Sequence, residues 1–305
     1  LGLGTRLPQR LRFEPRPPRW SRNGEAGTPI NCAATQEVVT ARADGEHYLT
    51  LRPLGVDWPD ARGTSPEGFT DAPVVPTDIS VDIVLLEGEA ESALPALAEQ
   101  GNEHAAAALQ SIAKRNTLPT GFSYLPYVGR SNVWADGTAD GANGIHASTS
   151  DDFGIVKKPL DIPLDGDTQY SFDWLYQALP ARGPETLMQH HDYLSIALEF
   201  DNGQDLTWMW STELEEEFHF GCPLPWWDVR ETHYVLQSGT EGLGEWHSHS
   251  RNVLADYEAS IDLPVPQRIV GVWFIANSLF ARNQGAASFA NVDITSGDAV
   301  VKVFE

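Results

Sequence analysis

Apolar and polar residues alternate at period two through most of the second half of the chain. Asp167–Gln177 (DTQYSFDWLYQ), Asp192–Asp201 (DYLSIALEFD) and Asp205–Ser211 (DLTWMWS) set β-branched and aromatic residues at every other position. That is the pattern of strands with at least one buried face. Asn202-Gly203, between the last two, is a two-residue hairpin signal. The same reading predicts strands at Thr232–Gln237, Glu245–His249, Ile269–Asn277, Ala287–Ile294 and Ala299–Phe304. Many short strands punctuated by Gly and Pro mean a sandwich or a barrel. No repeat of about 20–50 residues is present, which disfavours a propeller or solenoid.

The first half is less regular. Residues 1–30 are rich in Arg and Pro and read as an extended arm. Gln36–Leu54 reads as two strands around Asp44-Gly45, and Asp78–Leu86 as one more. Glu89–Arg115 is the one convincing helical segment, divided at Gly101-Asn102, with Ala105, Leu109 and Ile112 on one face. We read it as a helical insertion (89–115) covering one sheet. Residues 120–153 read as a long loop. Tyr124, Tyr127 and Trp134 there offer flat faces of the kind that stack on sugar rings. Asp136, Asp140, Asp151 and Asp152 are hard oxygen donors suited to calcium, although their spacing matches no complete calcium loop. The expected organisation is an arm (1–30), a first part of the sandwich (31–154) and the main sandwich (155–305).

Charge narrows the partners. Twenty basic and 43 acidic residues give a net charge of −23. The first 22 residues hold six arginines and one glutamate, so the remaining 14 basic and 42 acidic groups give residues 23–305 a net charge of −28. Such a body repels a phosphate backbone, which argues against nucleic acid as a partner. An acid-rich surface with only four lysines suits high salt and a halophilic source. No apolar run approaches the ~20 residues of a membrane span. The arm can strap an acidic neighbour, so a homo-oligomer through residues 1–22 is one expectation. Cys32 and Cys222 are compatible with one long-loop disulfide or with two thiols.

Three stretches carry a resemblance over roughly residues 155–305. They are HDYLSIALEFDNGQDLTWMWS (191–211), SGTEGLGEWHSHSRNVLADYEASI (238–261) and PQRIVGVWFIANSLFARNQGAASFANVDI (266–294). Together they resemble an uncharacterised bacterial family known only as a domain of unknown function. The closing strand pair is also similar to the end of many jelly-roll carbohydrate-binding modules. The resemblance implies an all-β fold, a jelly-roll (concanavalin-like) β-sandwich, and brings no catalytic residues. His247 and His249 stand where the pattern leads us to expect acidic or basic residues.

His247 and His249, two apart on a predicted strand, share one face. With His191 and Tyr234 they are the candidate acid–base groups of a polysaccharide lyase or glycoside hydrolase. Trp134, Trp226, Trp227 and Arg251 are the candidate contacts to a polysaccharide or oligosaccharide. His190 and Asp192, beside His191 and near His219 and His233, offer ligands for a divalent cation, calcium or zinc. No fixed-spacing metal or nucleophile motif is present. The principal expectation is a secreted, extracellular, polysaccharide-degrading sandwich. The alternatives are a non-catalytic carbohydrate-binding module and a surface assembly protein using its basic arm.

Overall fold

In the computed structural model the described residues are 19–23, 30–31, 47–51, 90–125, 128, 130–139, 141–224 and 227–304. The chain divides into two compact units: Leu1–Arg115 with Pro126–Arg130, and Asn116–Leu125 with Ser131–Glu305. In the first unit β1 (Arg19–Asn23) pairs antiparallel with both β2 (Ile30–Asn31) and β3 (His47–Leu51). The end of the Arg/Pro-rich arm is therefore a strand, because Arg19–Asn23 gains a ladder of backbone bonds from its partners. The expected strand before Asp44-Gly45, that turn itself and the expected strand at Asp78–Leu86 lie outside the described residues.

The helical segment splits where Gly101-Asn102 predicts. α1 spans Ala90–Glu99 and α2 spans Glu103–Ala113. Asn102 caps α2, its side chain accepting from the Ala105 amide at 3.0 Å. Leu94, Ala105 and Ala108 are buried together, with Leu109 and Ile112 packed on them. Both helices belong to the first unit and not to the sandwich.

The second unit is an all-β, jelly-roll-type sandwich. Its strands are β4 (Ser123–Tyr124), β5 (Trp134–Ala139), β6 (Ala142–Ser150), β7 (Phe153–Pro163), β8 (Gln169–Ala178), β9 (Tyr193–Phe200), β10 (Asp205–Ser211), β11 (His219–Gly221), β12 (Glu231–Ser238), β13 (Trp246–Asn252), β14 (Arg268–Asn277), β15 (Gln284–Ser296) and β16 (Ala299–Lys302). One sheet has seven strands in the order β11-β12-β10-β9-β14-β7-β4. The other has six, β13-β8-β15-β6-β5 with β16 on β15. Most pairs are antiparallel, but β12 runs parallel to β10 because residues 212–230 carry the chain back to its starting end.

Two expectations need correction. Residues 120–153 are not a long loop; they supply β4, β5 and β6. Ala and Gly occupy many of the positions (ADGTADGANGIHASTS), so the alternation is faint in sequence, yet Ile145, Ala147 and Thr149 are buried. Gly141 makes the turn at φ +79°, a conformation that favours glycine. The second correction is a further helix, α3 (Val253–Ser260), which follows β13. Asn252 caps it, accepting from the Ala255 amide at 2.8 Å, and Val253, Asp256 and Tyr257 face inward.

β8 supplies the spine of the core. Tyr170, Phe172, Trp174 and Tyr176 point to the inner face and are 0–1% exposed. Neighbouring rings lie 5.1, 5.2 and 5.3 Å apart. From the facing sheet, Trp208 meets Tyr170 at 5.3 Å and Trp210 meets Tyr176 at 5.3 Å. Each such pair adds about 0.5–1.5 kcal/mol beyond area burial. The indole nitrogens are satisfied as well: Trp208 donates to Asp256 at 2.8 Å and Trp210 to the Gly239 carbonyl at 2.9 Å.

β6 and β15 approach closely at Gly144, where an added Cβ would lie 2.3 Å from the Phe289 carbonyl oxygen. Gly144→Ala should therefore destabilise the sandwich by on the order of 1–3 kcal/mol. For a domain of this size that lowers Tm by about 2–4 °C per kcal/mol. Gly166→Ala, with nothing within 4 Å of the new carbon, is the control. Equal melting temperatures for the two variants would contradict the close approach.

Candidate functional site

The central strands of the seven-stranded sheet, β9 and β10, are buried on both faces. Even-numbered residues of β9 and β10 meet the other sheet, and odd-numbered residues face away from it. On that outer face Asp205 of β10 stands in register with Glu199 of β9 and Glu231 of β12. Three carboxylates therefore form one row across three neighbouring strands. Residues 181–192, 212–224 and 227–230 cover them: Cys222 reaches His191, Glu185 accepts from Ser211, and Trp227 sets its ring edge-on to Trp273.

A buried row of acids requires compensation. Arg230 supplies much of it, its Nε donating to Asp205 at 2.8 Å and its Nη2 to Glu199 at 3.4 Å. Lys157 pairs with Glu199, and Trp273 donates its indole N–H to Glu199 at 3.1 Å. The Arg230 guanidinium also stacks 4.9 Å from the Trp273 ring. Burial still holds the Asp205 carboxyl well above its usual range, Glu231 adds to that rise, and Arg230 partly offsets it. Burial likewise raises Glu231. It accepts from Tyr193 at 3.0 Å and Thr207 at 3.3 Å.

Beside this row lie His191, Cys222 and His233. One ligand atom from each falls within 4.8 Å of the others, and all three residues are buried. His191 follows a short 3-10 turn (Met188–His190), Cys222 follows β11, and His233 sits on β12 two residues after Glu231. The His191 Nδ1 lies 2.6 Å from the Glu185 carbonyl oxygen. A carbonyl only accepts, so the ring proton is on Nδ1 and the Nε2 lone pair is free to accept. Nε2 meets the Cys222 sulfur at 3.3 Å, with the thiol donating. Burial pushes His191 down to about 4 and the Cys222 thiol up. Cys222 is a free thiol; Cys32 lies outside the described residues.

His233 is fully buried, and neither of its ring nitrogens has a hydrogen-bond partner. Phe220 stacks on it at 4.9 Å. Its Nε2 is 3.6 Å from Glu231 Oε1, but burial holds the imidazole well below its usual range, so it is neutral and makes no ion pair. An unpartnered buried polar group of this kind costs about 1–3 kcal/mol. The Asp205 Oδ1 and the Ser195 hydroxyl on the same sheet are unpartnered too.

Other candidate residues lie elsewhere. His190 is outside the cluster. Asp192 accepts from the Phe280 and Ala281 amides, one on each carboxylate oxygen, and so anchors a loop. Tyr234 is 5% exposed and donates to Glu217 at 2.7 Å. Arg251 grips Glu217 with two N–H groups and Asp256 with two more. It is therefore held by carboxylates at the sandwich edge, with its guanidinium 5.1 Å from the Tyr234 ring. Trp134 is fully buried and donates to the Gly154 carbonyl at 2.9 Å, leaving no ring face for a sugar. Trp227 is half-buried against Trp273, and Trp226 lies outside the described residues.

His247 and His249 share a face, and it is the inward one, because they stand opposite Trp174 and Phe172 in register. His247 meets Trp210 edge-on at 5.1 Å and reaches the Gly242 carbonyl at 3.0 Å. His249 packs 4.6 Å from Trp174 and reaches the Gln237 side-chain oxygen at 3.2 Å. Burial, then His247 and Arg251 nearby, lower His249 to about 4, while Asp173 opposes them weakly. The folded ring thus refuses a proton that the unfolded one accepts at about 6.5. This contribution is complete above pH 6.5 and is lost as the pH falls towards about 4. His249→Gln keeps a donor towards Gln237 and removes the titration. Its urea midpoint should fall less than that of the parent over this window, and parallel pH profiles would refute the assignment.

No curated protein matches the chain. Solved structures with a related sandwich include the xyloglucanase domain of NopAA, a type three effector from Sinorhizobium fredii (9% identity, TM-score 0.37, covering 59% of this chain and 96% of that one). A CBM28 module specific for non-crystalline cellulose matches at 12% identity and TM-score 0.33, covering 60% of this chain and 95% of its own. The family 30 carbohydrate-binding module of a Clostridium thermocellum cellulosomal cellulase matches at 10% identity and TM-score 0.32, covering 61% and 96%. No residue role is transferred from these proteins. Residues 125–293, more than half of the chain, match the family described as "Protein of unknown function (DUF3047)". The chain belongs to that family.

Proposed function

We propose that the sandwich is a non-catalytic carbohydrate-recognition module of an extracellular protein. It would bind a polysaccharide along the outer face of its six-stranded sheet. The observation that carries this reading is the character of that face. Ala135, Gly137, Gly144, Ala286 and Ala290 keep it flat. His146, Ser148, Asp173, Ser248 and Ser250 stand on it, and Trp246 lies half-exposed in register with Leu175. The polar groups are pre-positioned: His146 bonds Ser288 at 2.8 Å, Asn291 donates to Asp173 at 2.6 Å, and Ser171 meets Ser250 at 3.0 Å. A flat strand face bearing short hydroxyl and carboxylate side chains beside one indole suits a chain of neutral sugars. It offers hydrogen bonds and one stacking surface with little entropy to lose.

Three further observations favour binding over cleavage. The candidate acid–base groups are committed: His191 to Glu185 and Cys222, Tyr234 to Glu217, and His249 to Gln237. The carboxylates Asp205 and Glu231 are 0% and 3% exposed. A net charge of −23 also disfavours the uronate polymers that a lyase requires.

Affinity electrophoresis through gels containing soluble cellulose, xyloglucan, a mixed-linkage glucan or pectate tests the reading. At least one neutral polymer should retard the protein. Trp246→Ala and Ser248→Arg should weaken that retardation at least tenfold, with circular dichroism unchanged. Free migration through every neutral gel, or retardation untouched in both variants, would defeat the proposal. Shortened polymer on size exclusion would return the hydrolase reading.

A further inference from the structure

The His191–Cys222–His233 cluster takes part in no step of the carbohydrate reading, so its purpose is a separate question. From its geometry we infer that His191 Nε2, Cys222 Sγ and a His233 ring nitrogen bind one zinc ion in a closed structural site, with the Glu231 carboxylate as fourth ligand. Ligand atoms around a tetrahedral zinc lie about 3.3–3.8 Å apart. The three here fall within 4.8 Å of one another, and Glu231 Oε1 is 3.6 Å from His233 Nε2. Bringing these three onto one ion needs a small contraction, and Glu231, the fourth, has to close in from beside His233.

The donor set selects the metal. One thiol and two imidazoles suit a borderline-soft cation and are foreign to calcium, which takes six to eight oxygens. The surrounding bonds orient the ligands as a metal site requires. The Glu185 carbonyl holds the proton on His191 Nδ1 and leaves Nε2 for the ion. Tyr193 and Thr207 both donate to Glu231 Oε1. His233, fully buried, has two ring nitrogens without partners, and a bound ion would satisfy one of them. On binding, the Cys222 S–H bond breaks as the Zn–S bond forms, and the proton leaves to solvent. The residues are too deeply buried to keep an open position for a substrate, so the ion would clamp β12, the turn before β9 and the end of β11 together.

The test uses the full chain, refolded with zinc or with a strong chelator, together with Cys32→Ser, Cys222→Ser and His233→Gln. Zinc per chain is measured by elemental analysis, and cobalt(II) is substituted to reveal a thiolate charge-transfer band. We expect one zinc and a cobalt–thiolate band in the parent and in Cys32→Ser, with at least a tenfold loss of zinc in Cys222→Ser and His233→Gln. Chelator should lower the melting temperature of the parent and leave folded Cys222→Ser unmoved. A parent that refolds without zinc above the buffer level overturns the inference. So does Cys222→Ser with full zinc occupancy, or copper retained in place of zinc.

Discussion

Closing a charged sheet face from solvent is the constraint on which most of this sandwich depends. The outer face of the seven-stranded sheet carries a row of three acids and the His233 imidazole, and the segments at 181–192, 212–224 and 227–230, which bring His191 and Cys222, shut it in. Once those groups lose water, each must find a donor, an acceptor or a counter-charge within the protein. Arg230 meets two of the acids and stacks on Trp273 in the same act. This explains why β9 and β10 are buried at nearly every position, whereas sheets with one wet face show clean alternation.

The two sheets divide their roles accordingly. The inner faces meet over aromatic rings, with β8 as the spine. The six-stranded sheet turns small polar side chains outward, whereas the seven-stranded sheet seals its polar groups. The polymer-binding role we propose calls for an open face, and the structural zinc site we infer calls for a closed one. The two proposals thus fall on different sheets.

Much of this architecture is legible in the sequence. Asp205–Ser211 is a strand from end to end, and Gly203 takes φ +83° in the hairpin that Asn202-Gly203 signals. Strong β-branched and aromatic alternation leaves few other options. β5 and β6 are hard to read because Ala, Gly and Ser carry little hydrophobic contrast. α3 hides because its eight residues give period counting too little length, and its signal is the Asn252 cap. The site is less legible still. The pairing of His247 with His249 is visible, but which side of the strand faces the core depends on register against Trp174 and Phe172. Cys222 joins His191 and His233 across connections of no fixed spacing, so no motif could have grouped them.

The parallel pairing of β12 with β10 has a consequence for assembly. A parallel neighbour cannot be reached by a tight turn, so residues 212–230 must first travel back along the sheet. That crossover carries β11 and Cys222, and among the described residues β11 pairs with β12 alone. The long-range closure needed here is slower than hairpin formation between β9 and β10. Pairing β9 with β10 through a tight turn therefore has the lower closure cost, and seating the crossover edge the higher. Cys222 lies on that crossover and is buried in the finished sandwich, so protection of its thiol reports closure of this edge.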